Sequence, residues 1–273
     1  MNLNDLIFQI NNKDSFLCIG LDTDIDKIPK FLLKEDDPIF SFNKSIIDKT
    51  NSYCVSYKLN TAFYESLGVQ GWISMKKTID YINYNFPEIF TIADAKRGDI
   101  GNTSKMYAKT FFENMSFDSV TINPYMGSDS VKPFLEFNNK ISILLGLTSN
   151  IGASDIQLKK TDKDYIFLEM IRSSLVWGNK NNMMYVVGAT KPHHIKQIRG
   201  LIPNHFLLIP GVGAQGGDLN EVCKYALNDN VGILVNSSRS IIYASDDELF
   251  SDNAAKEAFK LQKQMKIILS REK

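Results

Sequence analysis

The chain has 273 residues, 44% of them hydrophobic and 23% charged, a balance that suits a soluble globular protein with a sizeable core. Its 31 basic and 31 acidic side chains cancel, so no broad field favours nucleic acid or an anionic membrane, and any anion it binds is held locally. No segment is apolar for long enough to span a bilayer, and the odd, scattered set Cys18, Cys54 and Cys223 suits a reduced cytoplasmic protein.

The N-terminus lacks the basic and apolar regions of a leader, and Leu3, Leu6, Ile7 and Ile10 fall at helical spacing, so a short packing helix is expected there. Strands are then expected in "FLCIGLD" (16 to 22), "YCVSYKLN" (53 to 60), "IFTIADAK" (89 to 96) and "SVTIN" (119 to 123). Four more follow in "ISILLGLT" (141 to 148), "MMYVVGAT" (183 to 190), "FLLIPG" (206 to 211) and "GILVNSS" (232 to 238). Helical patterns lie between them, as in "GWISMKKTIDYINYN", "DYIFLEMIRSSLVWG" and "LNEVCKYALND", and "NAAKEAFKLQKQMKIILS" closes the chain.

Continuous apolar strands alternating with helices imply a parallel sheet buried on both faces. Eight such units in about 250 residues match a (β/α)8 TIM barrel, here one α/β domain over 1 to 273 with no linker or repeat. A doubly wound open sheet is the competing architecture. The strand ends favour the barrel, because Asp22, Lys58 with Asn60, Asp94 with Lys96, Asn123, Thr148 with Ser149, Thr190 and the run Asn236 to Arg239 would then converge on one mouth.

The motif "DAKRGDI" (94 to 100) follows the apolar run "IFTIA" without a spacer. Strand alternation puts Asp94 and Lys96 on one face and Ala95 and Arg97 on the other. Gly98 is expected to turn the chain sharply, with Asp99 in the loop beyond. Such a pair can be a structural ion pair or a site; the strand-end position and the second carboxylate point to a site. Lys58 and Asn60 repeat the geometry, where the lysine either holds a carboxylate network or snorkels to the rim.

In "PGVGAQGGD" (210 to 218), Gly211, Gly213 and Gly216 formally satisfy G-x-G-x-x-G. The motif comes late, and the next strand ends in "NSSR" with no acid to hold a ribose diol. A phosphate cradle fits better, since barrels commonly bind phosphate in the loops after strands seven and eight. Asp218 and Glu221 have capping-box spacing for the following helix, and Arg239 can clamp an anion with its planar fork. His193, His194 and His205 lack metal-ligand spacing, and no G-x-S-x-G offers a nucleophile.

Taken together, "GLD", "YKLN", "DAKRGDIGNT", "GLTSN", "IPGVGAQGGD" and "NSSRSI", in this order over most of the chain, resemble the orotidine 5'-phosphate decarboxylase family in its longer variant. The resemblance implies decarboxylation of orotidine 5'-monophosphate to uridine 5'-monophosphate with no metal or other cofactor, by a homodimer with shared active sites. It implies a charge array of Lys58, Asp94, Lys96 and Asp99, with Lys96 as proton donor and Asp99, Ile100 and Thr103 reaching the neighbouring subunit's site. By the same matching, Asp22 and Asn60 contact the ribose or order the array, Thr148 and Ser149 address the pyrimidine edge, and Pro210 flanks the base. Gly213, Gln215 and Arg239 hold the phosphate. Two rivals stand beside this: a metal-dependent sugar-phosphate decarboxylase or aldolase on a related barrel, and a non-catalytic phosphate-binding barrel.

Overall fold

The computed structural model describes residues 1–189, 192–212 and 217–272. Among the described residues the apolar runs form eight parallel strands: β1 (Leu17–Gly20), β2 (Ser56–Asn60), β3 (Phe90–Arg97), β4 (Ser119–Ile122), β5 (Ile141–Leu147), β6 (Met183–Val187), β7 (Leu207–Pro210) and β8 (Ile233–Ser237). Each pairs with the next, and β8 returns to β1 through Cys18↔Asn236, so the sheet is a closed barrel rather than an open one.

The helices are α1 (Leu3–Lys13), α2 (Pro38–Thr50), α3 (Thr61–Glu65), α4 (Gly68–Asn85), α5 (Gly101–Lys109) and α6 (Ser128–Leu135). After them come α7 (Ile166–Ser174), α8 (Pro192–Leu201), α9 (Leu219–Ala226), α10 (Arg239–Ile242) and α11 (Phe250–Glu272). The expected N-terminal packing helix is α1, which buries Leu3, Leu6 and Ile10; Asn2 and Asp5 close a capping box at its start. Asp218 accepts the Glu221 N–H at 2.8 Å and so caps α9, while among the described residues no return bond from the Glu221 side chain completes the expected capping box.

Alternation explains why both faces are buried. Outward positions such as Ile19, Tyr57, Val120, Leu144, Tyr185, Ile209 and Val235 pack beneath the helices and are fully buried. Tyr57 and Tyr185 keep their hydroxyls partnered, at 2.7 Å from Thr50 Oγ1 and Ser174 Oγ respectively. The inward positions include Ile92, Ile143 and Met184 in the packed interior, with the charged Lys58 and Asp94 toward the C-terminal ends.

Most strands are shorter at one or both ends than expected, and three boundary differences bear on the mouth. β1 ends at Gly20, so Asp22 stands just past the strand, although the Leu21 N–H still donates to the Lys58 carbonyl at 2.8 Å. β6 ends at Val187, and the expected strand end at Thr190 lies outside the described residues. β3 runs on to Arg97 through an irregular register between Ala93 and Arg97, because Lys96 adopts a left-handed φ of 48°.

Candidate active site

Lys58 is the centre of the barrel mouth. Only 4% exposed, it places Nζ 2.9 Å from Asp94 Oδ2 and 3.3 Å from Asp22 Oδ1. Lys96 Nζ reaches the other Asp94 oxygen, Oδ1, at 2.6 Å, and its side chain is 47% exposed. The two ammonium groups therefore differ in kind: Lys58 is enclosed, and Lys96 can meet a ligand.

The Asp94 carboxylate is further fixed by Thr121 on β4, whose hydroxyl donates to Oδ1 at 2.9 Å. The same hydroxyl accepts the backbone N–H of Lys96 at 2.9 Å. This second bond depends on the left-handed turn at Lys96, a conformation uncommon for a residue with a side chain. The turn lets the Lys96 ammonium fold back onto Asp94 two residues earlier. Arg97, as alternation requires, faces away, where it pairs with Glu65 and lies over the rings of Tyr107 and Phe111 at 5.5 and 5.6 Å.

Gly98 was expected to make the sharp turn, and the structure corrects this. The positive φ belongs to Lys96. Gly98 serves a close approach instead: a Cβ there would sit 3.1 Å from the Asn123 carbonyl oxygen, beside the Asn123 N–H that donates to Arg97 at 2.7 Å.

Electrostatics hold the array charged. Burial alone would lower the Lys58 pKa, but the carboxylates of Asp22 and Asp94 reverse this and hold the ammonium well above the ordinary lysine value. Burial alone would raise Asp94, and Lys58 and Lys96 outweigh it, so its pKa lies below the usual carboxylate range. Thiol chemistry has no foothold here, because burial pushes Cys18 up to about 12 and Cys54 up to about 11.

Two cavities meet over this array. One, about 170 Å³, is lined by Asp22, Asn60, Asn236, Ser238 and Arg239; the other, about 350 Å³, by Lys96, Leu145, Thr148, Ser149, Val186 and Leu208. Lys58, Asp94 and Pro210 belong to both. The first is polar and ends at a guanidinium; the second has an apolar floor with hydroxyls at its edge. Such a site suits an elongated molecule with an anion at one end, a flat ring at the other and its reacting atom over Lys96.

The polar edge is itself braced. Gln157 accepts the Thr148 N–H and donates to its hydroxyl, both at 2.8 Å, and that hydroxyl donates to Asn150 Oδ1 at 2.6 Å. Gly188 makes room for this loop, since a Cβ would stand 2.8 Å from Ser149 N. Asn60 both lines the mouth and caps α3, accepting the Ala62 N–H at 3.3 Å.

A family model for the "Orotidine 5'-phosphate decarboxylase / HUMPS family" matches residues 15–250. A protein of Christiangramia forsetii named orotidine 5'-phosphate decarboxylase is 60% identical over 265 residues, covering 97% of each chain. One of the same name from Phocaeicola vulgatus is 58% identical over 98% of this chain and 99% of its own. The chain belongs to the orotidine 5'-phosphate decarboxylase family. Among solved structures, a putative orotidine-monophosphate decarboxylase from Toxoplasma gondii superposes with a TM-score of 0.84 at 29% identity, covering 96% of this chain and 97% of that one.

Of the residues expected from the resemblance to orotidine 5'-phosphate decarboxylases, Asp22, Lys58, Asn60, Asp94, Lys96, Thr148, Ser149, Pro210 and Arg239 come together around the two cavities. Asp99, Ile100 and Thr103 stand outside that lining; Asp99 Oδ1 accepts the Ile100 N–H at 2.7 Å and Ile100 is 55% exposed. Gly213 and Gln215 lie outside the described residues. Thr121, Gln157 and Asn150 were missed. Thr121 had a signal, since "SVTIN" alternates polar and apolar and so puts Ser119, Thr121 and Asn123 on one face. Gln157, nine residues beyond Thr148 in an irregular loop, had none.

Proposed function

We propose that this chain converts orotidine 5'-monophosphate to uridine 5'-monophosphate and carbon dioxide, the last step of de novo UMP synthesis, without a cofactor. In this reading it works as one barrel domain over 1 to 273, in the cytoplasm, as a homodimer. The observation that carries the reading is the charge array at the junction of the two cavities, with Lys96 exposed against Asp94 and Lys58 enclosed behind it.

The chemistry asks for this arrangement. When the C6–carboxylate bond breaks, its electron pair stays on a ring carbon with little resonance relief. Lys96 Nζ gives its proton to that carbon and regains one from solvent. Asp94, Lys58 and Asp22 are ordered before substrate arrives, so little reorganisation accompanies the charge that develops. Arg239, with Gly213 and Gln215, holds the phosphate; Asp22 and Asn60 face the ribose hydroxyls. Thr148 and Ser149 face the pyrimidine edge, and Pro210 flanks the ring.

The dimer is supported by what surrounds Asp99. Ile100 is exposed beside it, and Tyr125 and Met126, on the loop that packs by Gly98, are 79% and 48% exposed. Exposed apolar side chains near Gly98 and at Ile100, next to a carboxylate that does not line its own mouth, suit a second subunit that receives Asp99, Ile100 and Thr103.

The metal-dependent alternative is less well served. Asp22 and Asp94 would have to share a divalent cation, and the Lys58 ammonium occupies the space between them. Among the described residues no three His, Cys, Asp or Glu side chains gather as ligands. The test is a UV-monitored orotidylate assay with and without EDTA. Turnover persists in chelator and falls by at least ~10²-fold in Lys96→Ala, the low end for a positioned proton donor. No absorbance change with orotidylate overturns the reading, and activity abolished by EDTA favours the alternative.

A further inference from the structure

The short helix α10, which begins with Arg239, is fastened at both ends to the loop that carries Asp22. Before it, the Ser238 hydroxyl donates to the Gly20 carbonyl at 2.9 Å. After it, the Tyr243 hydroxyl accepts the Asp24 N–H at 2.7 Å and donates to the Asp22 carbonyl at 3.1 Å. One phenol thus closes both ends of the turn Asp22–Asp24, and the Tyr243 N–H donates to the Arg239 carbonyl at 3.2 Å.

The Tyr243 ring is held for this task. It stacks on Phe42 with centroids 5.9 Å apart, and Phe42 stacks on Phe250 at 5.2 Å. Burial pushes the phenol up to about 12, so its proton stays available for donation at neutral pH. The other side of the loop is anchored separately: the Tyr64 hydroxyl donates to the Leu21 carbonyl at 2.9 Å, and Thr23 donates to Asn43 Oδ1 at 2.6 Å. Among the described residues, the hydrogen bonds that join the segment 20–24 to the helix of Arg239 and its flanks are those of Ser238 and Tyr243.

We propose that Tyr243 is a positioning residue that couples the phosphate-binding guanidinium of Arg239 to the Asp22–Lys58 pair. The inference rests on the functional reading above, in which Arg239 meets the phosphate and Asp22 faces the ribose and Lys58. With the staple intact, a phosphate bound at Arg239 fixes α10, α10 fixes the Asp22 backbone through one hydroxyl, and Asp22 Oδ1 fixes Lys58 from 3.3 Å. Binding energy gathered far from the reacting carbon is then spent on alignment of the charge array.

Tyr243→Phe removes the hydroxyl and leaves the aromatic stack. It is compared with the parent chain on orotidylate and on orotidine, the nucleoside without phosphate, and again in an Arg239→Ala background. The expected result is at least a tenfold fall in kcat/KM on orotidylate, with less than a threefold fall on orotidine and in the Arg239→Ala chain, a non-additivity that only coupled groups give. No fall on orotidylate, or the same factor in all three comparisons, overturns the proposal, because a merely structural hydroxyl would act equally on both substrates. If the Phe chain does not fold, Tyr243→Met, which also lacks the hydroxyl and whose flexible side chain can fill the site, carries the same comparison with the same outcomes. A parent chain inactive on orotidylate would instead overturn the functional reading on which this rests.

Discussion

Thr121 donates its hydroxyl to Asp94 Oδ1 across 2.9 Å, on the same oxygen that Lys96 Nζ reaches at 2.6 Å. The hydroxyl also satisfies the Lys96 N–H at the one left-handed residue of β3, so a single side chain sets both the carboxylate and the backbone from which the lysine springs. Thr121→Val keeps the shape and removes both bonds. The expected outcome is a fall in kcat of about tenfold, equivalent to about 1.36 kcal/mol of barrier, with KM changed by less than about threefold. Steady-state kinetics check it, and a parent-like kcat would mean that the Lys96 turn holds itself.

The array also makes a pH prediction. Burial opposes the Asp94 charge, but Lys58 and Lys96 hold its pKa below the ordinary range, so its stabilising contribution is complete above the unfolded value of about 3.9 and is lost as pH falls through the lower folded value. Lys58, raised above its ordinary value, contributes fully below about 10.4 and loses its contribution only as pH rises past its higher folded value. Thermal melts of the parent and Asp94→Asn should therefore differ by a constant amount from about pH 5 to pH 8 and converge below about pH 4. Convergence already between pH 7 and pH 5 would contradict a depressed Asp94.

The barrel was legible because parallel strands buried on both faces leave continuous apolar runs, as in "ISILLGL" and "MMYVV", and because polar residues cluster only where those runs end. Lys58, Asp94 and Lys96 could be paired by alternation alone. What alternation could not supply is the left-handed φ at Lys96, whose N–H is met by a hydroxyl on the neighbouring strand, a contact with no local signature. The same holds for Gly98, whose need for a missing Cβ comes from the Asn123 carbonyl in another loop. Tyr243 lies in "SIIYAS", where nothing nearby announces a bond to the opposite end of the chain.

Asp99 divides the dimer reading from a self-contained site. In its own chain its carboxylate contacts the next residue's N–H, and Lys96 is served by Asp94. If Asp99 completes the neighbour's array, Asp99→Ala and Lys96→Ala chains are each nearly inactive alone. Mixed dimers then regain one site with both residues native, so activity recovers toward the fraction expected of one working site per heterodimer. Co-purification on two affinity tags confirms the mixed species, and heterodimers without recovered activity would contradict the shared site.

His205 sets a separate acid limit on the fold, away from the mouth. Its Nδ1 and Nε2 are buried with no hydrogen-bond partner among the described residues, and its ring meets the Tyr185 ring edge-on at 5.6 Å. Arg199, whose guanidinium is spent on the carbonyls of Ala226, Ile202, His205 and Gly232, adds a positive charge nearby, as does Lys180. Burial first, then these two cations, lower the His205 pKa from 6.5 to about 4. The unfolded chain therefore takes up a proton between about pH 6.5 and pH 4 that the folded chain refuses, and stability falls as pH falls through that window. His205→Phe keeps a ring against Tyr185 and removes the titration. Over that window its melting temperature should decline less steeply than the parent's, while the acid carboxylates common to both chains cancel in the comparison. Parallel curves would show that the imidazole finds a proton acceptor on acidification and carries no such penalty.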